Sequence, residues 1–120
     1  MPGRQRHAAE VLAALAPPLS DARVLSVQCA NGHHVAGVYA TEEGPVVQAV
    51  PGRRSHGHRD RIDTPHRGER EHWADFLDAG ALADDTVPAW CECGPWVLSR
   101  RAMTTWIADG ESRVVLESKA

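Results

Sequence analysis

The sequence predicts a small α+β domain: a sheet of short antiparallel strands with two to three helices packed beside it. Three observations predict it. Apolar residues recur at helical spacing near both ends of the chain, at Ala8, Val11, Leu12 and Leu15 and again at Ala102, Met103, Trp106 and Ile107. Between these ends, short β-branched runs are cut by Gly- and Pro-containing turns, as in a meander. All three cysteines lie beside glycine turns, in Cys29-Ala30-Asn31-Gly32-His33 and Cys91-Glu92-Cys93-Gly94, and none lies inside a helical pattern. At 120 residues the chain has the length of one domain. Its core is modest, so a metal staple would add to it.

Taken in order, residues 4–16 read as a helix that Pro17-Pro18 end, because proline supplies no amide to continue it. This helix fills most of an N-terminal segment, 1–20, ahead of a domain at 21–120. Residues 23–29 read as a strand with Leu25, Val27 and Cys29 on one face. Val35–Thr41 and Val46–Val50 follow as strands, joined through Glu42-Glu43-Gly44. Residues 51–68 have no apolar period and carry Pro, Gly, Arg and His, which reads as a long exposed loop. The spacing of Trp73, Phe76 and Leu77, with Gly80 beyond them, predicts a helix over 69–79, and residues 81–89 read as a loop. Trp96-Val97-Leu98 reads as a strand, Ser99 as the N-cap of a helix over 100–109, and Arg113–Glu117 as a final strand.

Charge narrows the function classes. A net charge of −3 gives no general affinity for nucleic acid or acidic lipid. Its distribution is uneven. Residues 52–72 carry six Arg against four acids, whereas residues 73–98 carry five acids and neither Lys nor Arg. Polar contacts are therefore expected of parts of the surface. No stretch approaches the run of about 20 apolar residues that crosses a bilayer. Arg4, Arg6, His7 and Glu10 interrupt any signal-peptide core, so a cytoplasmic location is expected. In a reducing compartment three cysteines suit a metal better than disulfides.

Protein-bound Zn²⁺ takes four thiolate or imidazole ligands at about 2.0–2.3 Å. Cys29, Cys91 and Cys93 supply three. His33 is the expected fourth, because Gly32 can take the left-handed backbone angle that folds the turn back onto the ion. His34 is the rival and would open the next strand facing the other way. Four protein ligands leave no open coordination position, so the expected Zn²⁺ is structural. Its two ligand turns, 57 residues apart between His33 and Cys91, would be tied by it into one fold.

Other constellations carry less. His56-Gly57-His58-Arg59-Asp60 imitates the H-x-H-x-D string of metal-dependent hydrolases, but Arg61 stands where a further His is expected. Arg53 and Arg54 are candidates for phosphate contact, diluted by the acids interleaved after them. Arg100 and Arg101 fall in the first turn of a helix, where the dipole disfavours cations by about 0.3–1 kcal/mol each. A partner group or an internal carboxylate must offset that. Trp73 and Trp106 read as core; Trp90 and Trp96 flank the second metal turn and shield it. No nucleophile–base pair or phosphate-cradling loop stands out.

The strand followed by C-x-x-G-H, the distant C-x-C-G before a second strand, the Ser-started helix and the terminal strand together resemble small zinc-ribbon proteins, similar to uncharacterised short proteins of actinobacteria and their phages. The resemblance covers residues 24–50 and 90–117. It implies a structural zinc and no known activity. The C-x-C in place of a second C-x-x-C and the long Arg/His loop depart from that pattern. The expected function is non-enzymatic: an interaction module docking on nucleic acid or on proteins that process it. The alternatives are a phage or host accessory protein binding only protein partners, through the 4–16 helix or the acidic 73–98 segment, and a small hydrolase using His56, His58 and Asp60.

Overall fold

The apolar runs between Arg23 and Val50 pair as successive antiparallel strands. In the computed structural model, which describes residues 3–15, 18–50, 73–78, 80 and 84–117, they are β1 (Arg23–Cys29), β2 (His34–Tyr39) and β3 (Val46–Ala49). Before them, α1 (Gly3–Ala13) and a 3-10 turn at Leu19–Ala22 lead in. After them come β4 (Trp73–Phe76), β5 (Thr86–Cys91), β6 (Gly94–Ser99), α2 (Arg100–Ala108) and β7 (Arg113–Leu116). The molecule is α+β, as the sequence predicts. Among the described residues no helix is long and apolar enough to cross a membrane.

Five strands form one sheet in the order β4-β3-β2-β1-β7, and β5 and β6 form a separate antiparallel hairpin. The wholly antiparallel sheet expected from sequence is corrected here: β7 lies parallel to β1, with Val27 opposite Val114. The crossover through β5, β6 and α2 brings the chain back in the same direction, as parallel neighbours require.

Both faces of the sheet are covered. On one, Leu25, Val27, Cys29, Val38, Val47 and Ala49 pack with Val87, Ala89, Cys91 and Leu98 of the hairpin and Met103 of α2. On the other, Tyr39, Val46 and Ala74 receive Ala8 and Leu12 of α1. This double coverage explains why β1 and β2 are buried along most of their length rather than alternately, as a one-sided sheet would be.

Two further expectations fail. Trp73–Phe76, read as part of a helix over 69–79, is strand β4 on the outer edge of the sheet, paired antiparallel to β3. Trp73 and Phe76 are three residues apart, which suits one helix face. In the strand they take opposite faces, with Trp73 against the hairpin-side core and Phe76 against the α1 side. Thr86–Cys91, read partly as loop, is strand β5 with Val87, Ala89 and Cys91 turned inward and alternating with Thr86, Pro88 and Trp90. Ala and Pro mask that alternation in the sequence. The predicted loop at 51–68, with Arg53, Arg54, His56, His58 and Asp60, lies outside the described residues.

The start of α2 ties the outer elements together. Ser99 caps it as predicted: its Oγ accepts from the Ala102 amide at 3.1 Å and donates to Asp85 Oδ2 at 2.7 Å. Arg100 then turns inward. Its guanidinium donates to Asp75 Oδ2 at 2.8 Å, to the Phe76 carbonyl at 2.7 Å and to the Asp84 carbonyl at 2.8 Å, and it lies 5.7 Å from the centre of the Trp73 ring. Arg4 of α1 reaches the same Asp75 through a two-pronged contact at 2.8 and 2.7 Å. Asp75 is fully buried, and the two guanidiniums hold it ionised. Burial pushes its carboxyl up, but the hydrogen bonds and charges of Arg4 and Arg100 outweigh this and leave it below the ordinary value.

Candidate metal centre

Each metal turn has a backbone reason for its shape. Between β1 and β2 the Gly32 amide donates to the Cys29 carbonyl and the Cys29 amide to the His33 carbonyl, both at 2.9 Å. This closes a three-residue hairpin loop, Ala30-Asn31-Gly32, whose last position needs a left-handed residue; Gly32 meets it with φ of +87°. The loop turns Cys29 and His33 toward each other. In the second turn Cys91 pairs with Gly94 across a two-residue loop, Glu92-Cys93, and Gly94 has φ of +122°. The hairpin's packing on the sheet brings this tip to the β1–β2 turn.

Cys29, His33, Cys91 and Cys93 meet there, with all four ligand atoms within 4.8 Å of one another. His33 Nδ1 lies 3.4 Å from both Cys29 Sγ and Cys93 Sγ, and the two sulfurs are 3.9 Å apart. A tetrahedral ion with the usual zinc bond lengths sets sulfurs about 3.8 Å apart and sulfur and nitrogen about 3.6 Å apart. The three edges among Cys29, His33 and Cys93 match one face of that tetrahedron to within a few tenths of an ångström, and Cys91 Sγ lies within 4.8 Å of each. They are too long for a covalent S–S bond, and all three thiols are free. The four residues are close enough to bind a metal ion. His34 is exposed on β2 and outside the cluster, so the choice between the two histidines falls to His33.

Hydrogen-bond donors surround the sulfurs, but the three do not ionise alike. Cys91 is fully buried; its sulfur accepts from Trp96 Nε1 at 3.2 Å and from the Cys93 amide at 3.4 Å. Cys93 is exposed and accepts from Asn31 Nδ2 at 3.1 Å. Burial pushes the Cys29 thiol up, but the backbone amides of His33 and Asn31, with the two other sulfurs, bring it down to about 7. The Asn31 amide draws Cys93 down, yet desolvation and the sulfurs of Cys29 and Cys91 hold it above the ordinary thiol value. The first charge to form among these thiols thus opposes the next, a conflict that a bound dication removes. On the far side of the imidazole, His33 Nε2 lies 3.9 Å from Glu92 Oε1. That is too long for a hydrogen bond, so Glu92 lies near the imidazole without fixing its orientation.

The remaining predicted site residues separate. Arg100 is corrected from a contact residue to an internal one: it is 8% exposed and its donors serve Asp75 and three backbone carbonyls. The cost of its place in the first helical turn is met by Asp75, not by a ligand. Arg101 is exposed, and its amide donates to Asp85 Oδ1 at 3.0 Å. Arg53 and Arg54 lie outside the described residues. Sequence reasoning missed Asn31 and Glu92. The signal for both was position alone: each sits inside a metal turn, within reach of the other turn's ligand.

No family model, no curated protein and no solved structure matches the chain.

Proposed function

We propose that the chain is a non-enzymatic protein-docking module stapled by one structural Zn²⁺ on Cys29, His33, Cys91 and Cys93. The observation that carries the metal half is the convergence of three sulfurs and one imidazole nitrogen within 4.8 Å of one another, with Cys29, His33 and Cys93 spaced at 3.4, 3.4 and 3.9 Å. Zinc is the first choice for a tetrahedral set rich in thiolate. With every position taken by protein, the ion supports structure rather than turnover. It clips the tip of the β5–β6 hairpin to the β1–β2 turn.

Charge supports protein over nucleic acid as the partner. The chain carries thirteen Lys or Arg and sixteen Asp or Glu, a balance of −3. Arg100, one of those cations, is consumed internally. The competing reading, docking on nucleic acid, draws on the six arginines of residues 52–72.

Two measurements test the proposal. Elemental analysis of protein purified without added chelator is expected to give one zinc per chain, lost on Cys91→Ser; less than half an equivalent, or full zinc in the variant, defeats the metal reading. Titration with random-sequence duplex DNA at low salt is expected to show no binding. Tight binding that collapses as salt rises would move the assignment to nucleic acid.

A further inference from the structure

The five-stranded sheet has an edge strand at each end, and the two differ. At β4, α1 packs alongside: Ala8 and Leu12 gather with Ala74, and Arg4 holds Asp75. At the other end β7 closes the sheet order, with no strand beyond it among the described residues. Its ladder with β1 shows which backbone groups are left over. The Ser112 carbonyl accepts from the Ser26 amide at 2.9 Å, and Ser26 lies opposite Arg113. Successive residues of a strand turn their amides and carbonyls to opposite sides. Ser112, Val114 and Leu116 therefore direct theirs at β1, and Arg113 and Val115 direct theirs away from the sheet. Side chains alternate too. Val114 and Leu116 pack on the hairpin-side core, whereas Arg113, Val115 and Glu117 are exposed, Val115 at 49%.

An unpaired edge is a template for another strand, and edges that stay single are commonly blunted by proline, lysine or a bulge. Residues 113–116 are Arg-Val-Val-Leu in unbroken register with β1, with none of these devices.

Charge indicates the occupant. Arg113 and Glu117 stand two residues to either side of Val115, and Glu111 and Lys119 stand four to either side. The segment is thus complementary in charge to its own reversal. Antiparallel pairing of two copies about Val115 sets Arg113 against the partner's Glu117 at both ends, Val114 against the partner's Leu116, and Val115 against its equal. Residues with outward amides then meet residues of the same kind, as an antiparallel ladder requires. Other registers lose this match. A centre at Val114 opposes Glu111 with Glu117, a centre at Leu116 sets Val115 against Glu117, and a slip of one residue pairs outward amides with inward ones. Among the described residues neither Arg113 nor Glu117 makes an ion pair within the chain.

We propose that β7 is a self-pairing edge: two copies of the chain join antiparallel through residues 113–117 about a two-fold axis at Val115, forming one ten-stranded sheet from two of five. Such an interface is isologous, each copy giving the contacts it receives. It covers the exposed Val115 and brings Val114 and Leu116 beside the partner's Leu116 and Val114, so the two hairpin-side cores meet. The pairing is separate from the docking function and uses none of the metal ligands.

Sedimentation equilibrium of the full chain, over a dilution series reaching millimolar protein, tests it. A monomer–dimer equilibrium is expected. Arg113→Glu and Glu117→Arg each oppose like charges at both ends of the ladder, and each is expected to weaken the dimer at least about tenfold. The double variant Arg113→Glu/Glu117→Arg restores opposite charges and is expected to recover it. Both side chains are exposed, so every variant is expected to keep its circular dichroism. Hydrogen exchange reads the register directly. The outward Val115 amide is expected to exchange more slowly as protein concentration rises, while the Val114 and Leu116 amides, directed at β1, are indifferent to it. A monomer at every concentration, a dimer that ignores both single reversals, a double variant that fails to recover, or Val115 exchange independent of concentration each overturns the proposal. Zinc content is measured on the same samples, so a dimer that forms without zinc supports the pairing and counts against the staple alone.

Discussion

The β5–β6 hairpin is fastened at both ends, by different chemistry. At its tip, Cys91 and Cys93 meet Cys29 and His33 in a cluster that suits a metal. At its base, Arg100 grips Asp75, Phe76 and Asp84, while Ser99 and the Arg101 amide hold Asp85. The base is complete in the polypeptide: each buried charge meets another with its hydrogen bonds made. The tip brings three thiols and an imidazole close enough to hold an ion. One end of the hairpin is thus closed by the polypeptide's own charges, and the other is a set of ligands that a metal would tie.

Stripping the metal is the severest challenge to this contrast. With a strong chelator the tip is expected to open, costing several kcal/mol in denaturant unfolding. Hydrogen exchange should rise first at Asn31–His33 and Cys91–Gly94. Equal loss of protection at Trp73–Phe76 would show that the two ends are not separate. Next in size is Asp75→Asn, which leaves Arg100 buried beside a neutral group; a loss of about 3–5 kcal/mol is expected, with zinc content unchanged.

Acid separates the ends without mutation. Cys29 ionises near 7 when the site is empty, so protons compete with metal for this sulfur as pH falls below about 7. Asp75 has a folded value below the ordinary carboxylate value. Its contribution is therefore complete above that ordinary value and fades only as pH falls through the lowered one, below about 4. Metal release, followed with a chromogenic indicator, should precede the loss of base packing, followed by hydrogen exchange at Trp73–Phe76. The reverse order would break the assignment of roles. The smallest expected effect is that of Ser99→Ala, which removes the cap of α2 and the hydrogen bond to Asp85. A loss of about 1 kcal/mol in thermal unfolding is expected, with metal affinity unaffected.

The two ends were not equally legible in the sequence. Cysteines are few in this chain, and each of its three lies at a glycine turn, so the residues of the metal cluster could be named from spacing alone. The β1–β3 meander and the Ser99 cap were equally open, because β-branched runs and capping residues act locally. The base was hidden. Asp75 and Arg100 are ordinary residues 25 apart, and their pairing exists only because β4 runs along the sheet edge where α2 begins. The same cause concealed β4. Its four residues offer no clear alternation, and a buried Asp contradicts the pattern of a strand until Arg4 and Arg100 are seen beside it. Strand β5 was hidden by Pro88, a residue that argues against strands except at free edges such as those of a two-stranded hairpin.

The parallel pairing of β7 with β1 has a consequence for how the chain is made. As it leaves the ribosome, β1 can meet β2 almost at once, but its other side has no neighbour until residues 113–116 emerge. Cys29 waits nearly as long for Cys91 and Cys93. Until residues 91–116 emerge, then, the nascent protein presents an open strand and an incomplete set of thiols, and that one stretch closes both.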